Sequence, residues 1–368
     1  MKNENCKICD EKKFYKVEFN NLYLRTDSYD KELHTYTTRV CYNCGVVYQF
    51  PQINLKNVIK HYEKNYRKTK NPIYFNDKEK IEFPLQFGQT GISFQRFFHF
   101  YRIIQNLISS DGQLKFDNKT TILDYGAYQG AFLYACKKKW DVRTIAYDHN
   151  EMGLKLAKNF LGIDSTFKAV DINKDVFNEN VHVCTAIQVF EHLSDPLGFL
   201  YNVKKNVLKE SGYIYIEVPS ALSSEFSNPT HLFMYTKDTL KNLFEISGFK
   251  IHHISEENIY NFQNIMPVKR RIQKMIHCLA SPNKDNIINK KFFIGKKIFN
   301  DIKKHHFKNS NKIYQIKLKK TLREILILTY YSVFILIGFI SRRLSFSLFK
   351  KLNLFLKRLP MLNKFGRK

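Results

Sequence analysis

Thr121-Ile122-Leu123-Asp124-Tyr125-Gly126-Ala127-Tyr128-Gln129-Gly130 is the stretch from which the rest of this 368-residue chain can be placed. An apolar run ends in an acid, two glycines punctuate a turn, and Ala131-Phe132-Leu133-Tyr134-Ala135-Cys136 then starts in helical rhythm. Strand, glycine turn and helix are how a parallel α/β sheet aims backbone N–H groups at a ligand. Gly126 and Gly130 permit the tight turn and a close approach of the backbone. The stretch reads as the cofactor loop of a nucleoside-binding enzyme.

Working outward, Val142–Asp148 predicts a second strand that again ends in an acid. Phe167–Asp171, His182–Ile187 and Tyr213–Val218 predict three more, with helices over Met152–Phe160 and Pro196–Val207 between them. Thr236–Gly248 reads as a helix with a glycine stop and Phe249–Ser255 as a sixth strand; Asn258–Pro267 is the candidate for a seventh. Alternation of this kind predicts an α/β, doubly wound sheet. Asp148 lies 18 residues beyond Gly130, where a carboxylate can accept both hydroxyls of a ribose. Asp171, ending the third strand, is placed to meet an adenine amino group. A single strand-end aspartate is as readily a turn residue or helix cap, but three in this order are hard to obtain by chance. On the glycine pattern alone a dinucleotide-binding dehydrogenase stays open.

The fourth unit separates these readings. Val189-Phe190-Glu191-His192-Leu193-Ser194-Asp195-Pro196 follows strand four, and Leu208-Lys209-Glu210-Ser211-Gly212 precedes strand five. Together with the first loop, over roughly Thr120–Lys250, these resemble the class I S-adenosylmethionine-dependent methyltransferases. There the loop reads D-x-G-x-G-x-G, and strand four leads into an E-H-(hydrophobic)-x-D-P segment. The resemblance implies a seven-stranded, Rossmann-like sheet with S-adenosylmethionine as cofactor. It implies that Asp124, Gly126 and Gly130 hold the methionine end, that Asp148 binds the ribose and that Asp171 lies by the adenine. Gln188 and Glu191 would run along the cofactor edge, with His192 near the methyl group. One position departs: Tyr128 stands at the middle glycine of the family loop, and is expected to keep a negative φ and point outward.

Cys6-Lys7-Ile8-Cys9 and Cys41-Tyr42-Asn43-Cys44-Gly45 are two Cys-x-x-Cys knuckles. Their four thiolates are what a closed, structural tetrahedral zinc site needs. Four free cysteines in a small β domain are the alternative; a redox pair fits less well, because neither pair sits in a strand–helix context. Met1–Asp30 is polar throughout, so no signal peptide is expected, and reduced thiols point to the cytoplasm. A four-cysteine segment ahead of such a domain resembles the zinc-segment methyltransferases that act on sugars or nucleotide-linked sugars. Some of these are ketosugar C-methyltransferases with Tyr-x-Glu-His after strand five. Here Asn228-Pro229-Thr230-His231 keeps the histidine alone. Removing a proton from carbon needs neighbours that hold the enolate, whereas O-methylation needs one base near a hydroxyl. The expectation is O-methyl transfer to a sugar of a surface polysaccharide or lipid-linked glycan, with His231 or His192 as base. No metal is needed for that chemistry, and no spare Asp/His cluster shows in the sequence. Sugar C-methylation, O-methylation of a quinone or small lipid, and a non-catalytic membrane-associated binding module are the alternatives. For either histidine, a capping or core role is the plain structural reading.

Domain limits follow from composition: a zinc segment at 1–51, a helical linker or lid at 52–118, the methyltransferase domain at 119–265 and a basic helical tail at 266–368. In the lid, Gly91–Ser109 reads as an amphipathic helix, and Tyr62 and Tyr66 share a helix face. The tail carries 26 of the 60 Lys and Arg but 3 of the 33 acids. A nucleic-acid-binding enzyme would spread that charge more widely, so nucleic acid is not the expected partner. Ile325–Ser341 is a 17-residue run without charge, and Leu344–Leu359 is basic and amphipathic. Arginines on both sides of the run disfavour a single clean span. A hairpin or in-plane anchor on an anionic membrane surface is expected, on the inner face of the membrane, with burial in a helical subdomain as the alternative.

Overall fold

The computed structural model describes residues 5–17, 36–52, 96–106, 115–172, 174, 175, 177, 180–222, 230–258, 274–283 and 293–305. Expectations for Tyr62, Tyr66, Asn228, 325–341 and 344–359 lie outside these residues. The chain divides into two compact units, Met1–His305 and His306–Lys368, and every described residue belongs to the first.

The main sheet comprises β4 (Thr121–Tyr125), β5 (Arg143–Asp148), β6 (Ser165–Lys168), β7 (Val181–Ile187), β8 (Leu208–Pro219), β10 (Phe249–Asn258) and β11 (Lys274–Pro282). Its order is β10-β11-β8-β7-β4-β5-β6. The pairs from β8 through β7, β4 and β5 to β6 are parallel, while β11 runs antiparallel to both β8 and β10. β4 is buried at all five positions, as a central parallel strand covered on both faces must be.

Alternate strand residues enter opposite layers, because successive side chains point to opposite faces. Ile122, Val183, Tyr213 and Tyr215 pack with three helices: α1 (96–106), α2 (Ala131–Trp140) and α3 (Glu151–Leu161). Leu123, Tyr125, Cys184 and Ile216 pack on the other side with α4 (Pro196–Asn202) and α5 (Lys237–Ile246). The helix starts are written locally. Asn150 caps α3 through Gly153 N, Asp195 caps α4 with Pro196 in the first turn, and Thr236 with Thr239 forms a capping box on α5. The Asp-Pro pair that helped the resemblance is thus a helix start, with proline where its missing N–H costs nothing.

A second, four-stranded antiparallel sheet joins β1 (Phe14–Val17), β2 (Thr37–Cys41), β3 (Val47–Phe50) and β9 (Phe233–Met234). β9 follows His231 closely, so the cysteine-bearing segment is stitched to the chain just beyond that histidine. A last helix, α6 (295–305), places Ile298 and Ile302 against Val40, Val47 and Met234.

Three expectations are corrected. The seventh strand of the described sheet is Lys274–Pro282, where Met275–Ala280 is buried throughout and fills the gap between β8 and β10; of the expected Asn258–Pro267, residues 259–267 lie outside the described residues. The stretch from 266 onward is consequently not wholly a helical tail. Its strand β11 and helix α6 belong to the packed unit, which the excess of Lys and Arg had concealed. The third strand stops at Lys168, leaving Asp171 in a turn beyond it. Among the described residues, no helix is long and apolar enough to cross a membrane.

Candidate functional site

The glycine loop lies at the C-terminal edge of β4, where a doubly wound sheet presents its ligand site. Gly126 N and Ala127 N donate to Tyr147 O at 2.8 and 3.2 Å, tying the loop to β5. Gly126 has φ 72°, and a Cβ there would stand 2.3 Å from Val189 Cγ2, so loop and post-β7 segment are in direct contact. Gly130 also has a positive φ, 73°. Tyr128, expected at negative φ, has φ 48° instead. Its backbone N–H donates to Asp148 Oδ2 at 2.8 Å, and its ring lies against Gly153 at the start of α3. A left-handed residue other than glycine costs roughly 1 kcal/mol or more. The charge-assisted bond to Asp148 and the small residue at 153 offset that cost, which the sequence rule for isolated residues cannot include.

Asp148 organises this corner. Its second oxygen accepts Asn150 N–H at 2.7 Å, and as a carboxylate it keeps lone pairs for further donors. It is only partly buried, so it fits the ribose role. Asp124 is different: it is 4% exposed, and Thr185 donates to its Oδ1 at 2.6 Å. Burial pushes its carboxyl up to about 7, against the lowering effects of Thr185 and Arg96. Its bond to Thr185 ties β4 to β7 just before the loop. Asp171 pairs with Lys174 at 3.2 Å, and its N–H donates to Asp175. Asp175 also takes Val170 N–H and Tyr147 O–H, and its organising role there has no motif in the sequence.

Gln188 follows β7 at φ 58° and turns toward Glu217 on β8, with Nε2 at 3.3 Å from Oε1. Glu217 is fully buried and faces Arg96 of α1 at 3.2 Å. Tyr215 Oη and His277 Nδ1 share a hydrogen bond of 2.7 Å, and His277 stacks on His99 at 5.1 Å. Burial raises the Glu217 carboxyl and pushes the His277 imidazole down to about 3. Sequence reasoning missed this polar group. Arg96 and His99 lie in the lid helix, and His277 sits on the strand assigned to the tail, so only the folded sheet unites them.

Beyond Val189, Phe190–His192 forms one 3-10 turn. Glu191 is 1% exposed. His192 Nε2 lies 3.7 Å and His231 Nε2 4.0 Å from Glu191 Oε1. His192 Nδ1 meets Thr230 O at 2.7 Å. A carbonyl only accepts, so Nδ1 carries a proton, and in the neutral ring Nε2 is the nitrogen with the lone pair. Burial raises the Glu191 carboxyl to about 8. Burial, then the neighbouring His192, lowers the His231 imidazole well below its usual range, so it is neutral at pH 7. Both candidate bases thus share one carboxyl group, in a Glu/His cluster whose members the sequence places separately, along the cofactor edge and after strand five. The two histidines are 39 apart in sequence and meet only because β9 brings the chain back.

The four N-terminal cysteines also converge. Cys6 Sγ is 3.6 Å from Cys44 Sγ, and Cys9 Sγ is 3.5 Å from Cys41 Sγ. These distances are far beyond a disulfide bond of ~2.05 Å, and close to the ~3.8 Å between sulfurs on a tetrahedral ion with bonds of ~2.3 Å. Gly45, at φ 72°, donates to Cys41 O and closes the second knuckle. The donor set fits a closed four-thiolate site.

Residues 97–254 match the family described as methyltransferase domain. No curated protein matches the chain. Among solved structures, an S-adenosylmethionine-dependent methyltransferase from Clostridium acetobutylicum ATCC 824 is 14% identical with a TM-score of 0.38, covering 52% of this chain and 92% of that one. One from Aquifex aeolicus is 17% identical with a TM-score of 0.37, covering 62% and 99%. The domain match and the seven-stranded sheet order define a class I methyltransferase fold. Residues 97–254 accordingly form a methyltransferase domain, with the four-cysteine cluster as an N-terminal addition.

Proposed function

We propose that this enzyme methylates a hydroxyl oxygen on a sugar of a surface polysaccharide or lipid-linked glycan, at the cytoplasmic face of the membrane. The observation behind this reading is the Glu191–His192–His231 cluster, buried beside the glycine loop. It offers imidazole nitrogens as acceptors for a hydroxyl proton. Thr230, where ketosugar C-methyltransferases have glutamate, leaves no matching group to hold an enolate.

S-adenosylmethionine, when bound, supplies the electrophilic methyl group. The residues of the chain do the rest. The loop from Gly126 to Gly130 and the Asp148 carboxylate fit the methionine and ribose ends, and Asp124 is bonded to Thr185 on β7. Val189 against Gly126 keeps the cluster next to that loop. The acceptor O–H gives its proton to the cluster while the O–CH3 bond forms and the S–CH3 bond breaks, leaving a thioether. Most of the rate gain in such a displacement comes from holding oxygen behind the methyl carbon. The four cysteines fit a structural zinc ion, and the basic tail suits an anionic lipid surface that carries the acceptor.

The test is methyl transfer from isotopically labelled S-adenosylmethionine to nucleotide sugars, to lipid-linked glycans and to quinols. Label recovered as an alkali-stable sugar methyl ether is expected. Label on a quinol oxygen or on a sugar carbon, with none on sugar oxygen, overturns the sugar O-methylation reading.

A further inference from the structure

We propose that Glu191, His192 and His231 form a second metal site, one that binds a divalent transition ion such as zinc through one carboxylate oxygen and two imidazole Nε2 atoms. The three ligand atoms lie within 4.8 Å of one another. Both histidine nitrogens face the same Glu191 oxygen, at 3.7 and 4.0 Å. Ligands on one ion with bonds of ~2.0–2.2 Å stand ~3–3.5 Å apart, so a small inward rotation of the side chains closes the set.

The wiring around the cluster points the same way. Neither Glu191 oxygen has a hydrogen-bond partner, although the side chain is 2% exposed. A buried carboxylate without donors is costly and rarely left so. His192 spends its Nδ1 proton on Thr230 O, which fixes the ring and turns the Nε2 lone pair toward the carboxylate. Metal-binding histidines are held this way, with the far N–H on a backbone carbonyl. One carboxyl group and two imidazole nitrogens therefore converge on one point, and among the described residues no lysine or arginine makes an ion pair with Glu191. A cation supplies what the geometry lacks.

The donor chemistry selects the ion class. Two imidazoles and a carboxylate suit zinc, iron, cobalt or manganese rather than magnesium or calcium, which prefer all-oxygen shells. Three protein ligands leave open positions, the mark of a catalytic rather than a structural site. With both Nε2 lone pairs on the ion, the cluster would no longer take the acceptor proton itself; an acceptor hydroxyl on the ion would instead release it to solvent near neutral pH, as bound water does. This mechanistic consequence rests on the proposed O-methyl transfer; the site itself does not. The cysteine sheet also gains a purpose, because pairing of β3 with β9 at Tyr48–Phe233 and Val47–Met234 fixes the segment that carries His231.

Cobalt(II) titration of the metal-stripped full-length chain tests the proposal. The four-cysteine site yields an intense thiolate charge-transfer band. A second equivalent is expected with weak ligand-field bands alone. Glu191→Gln and His231→Ala should each weaken that second equivalent by more than the ~10–100-fold typical of losing an outer-sphere partner, and leave the thiolate band intact. The thiolate band and unaltered circular dichroism verify folding, and the near-isosteric Glu191→Gln covers the case in which His231→Ala does not fold. One equivalent only, or a second that neither variant weakens, overturns the site. A second equivalent that binds as expected in an enzyme inactive on sugars would leave the metal site standing and remove the proposed substrate.

Discussion

Asp124 shows how one buried side chain imposes a pH dependence. Its carboxyl stands at about 7 in the fold, against an ordinary value of 3.8, chiefly through burial. Between those values the folded chain holds a proton that the unfolded chain has released. Stability from this group is therefore full below pH ~4, falls as pH rises and is lost by pH ~7. One unit corresponds to 1.36 kcal/mol, so the step from pH 5 to 7 costs at most about 3 kcal/mol. The substitution Asp124→Asn keeps an oxygen for the Thr185 hydroxyl but leaves no carboxyl proton to lose. In urea unfolding at both pH values, this variant should lose about 2–3 kcal/mol less than the native chain over that step. Parallel losses in the two proteins would show that the carboxyl does not titrate there. Glu191 and Glu217 are raised in the same direction, so a slope of reduced size should remain in the variant.

At the scale of elements, the decisive contacts are between pieces far apart in the chain. α6 approaches the second cysteine knuckle so closely that a Cβ on Gly295 would lie 2.2 Å from Tyr42 O and 2.3 Å from Cys41 O. Those are backbone atoms that cannot swing aside. Ile294 N–H donates to Asn43 O nearby. Gly295→Ala should displace α6 from the knuckle and lower stability by about 1–3 kcal/mol, the usual cost of overpacking. The thermal midpoint should fall, and hydrogen exchange should quicken in β2, β3 and α6 while β4 and β7 stay protected. Unchanged protection in α6 would mean that the close contact does not hold it. The same knuckle joins the main domain through β9, so the cysteine sheet and His231 form one mechanical unit.

At the scale of the whole molecule, charge is segregated. Met266 onward carries 26 Lys and Arg against 3 acids, while the chain as a whole nets +27. Each basic side chain near an anionic lipid surface contributes about 1 kcal/mol, fading within a Debye length. Since β11 and α6 belong to the packed unit, a truncation that tests the tail must fall after His305, not after 265. A chain ending there should fold and bind S-adenosylmethionine, yet no longer sediment with phosphatidylglycerol vesicles at low salt. Cosedimentation equal to the full chain would remove the membrane role from residues 306–368.

Local chemistry was enough to place six of the seven strands of the main sheet. β4 and β5 are apolar runs bounded by acids or glycines, β7 is a mostly apolar run between Asn180 and Gln188, and the starts of α4 and α5 are written in Asp195-Pro196 and Thr236. The same is true of the loop from Gly126 to Gly130, of Asp148 behind it and of the pairing of two Cys-x-x-Cys knuckles. These signals span a few residues, and a neighbour along the chain decides them. The tertiary structure alone decided the positive φ of Tyr128, the place of β11 and the meeting of Glu191 and His192 with His231. Tyr128 is held by a carboxylate 20 residues away, and β11 by strands on both flanks. His231 is positioned by a β-ladder to a strand some 180 residues earlier. Such contacts depend on where the sheet order brings the chain back, and no periodicity or spacing along the sequence encodes that distance.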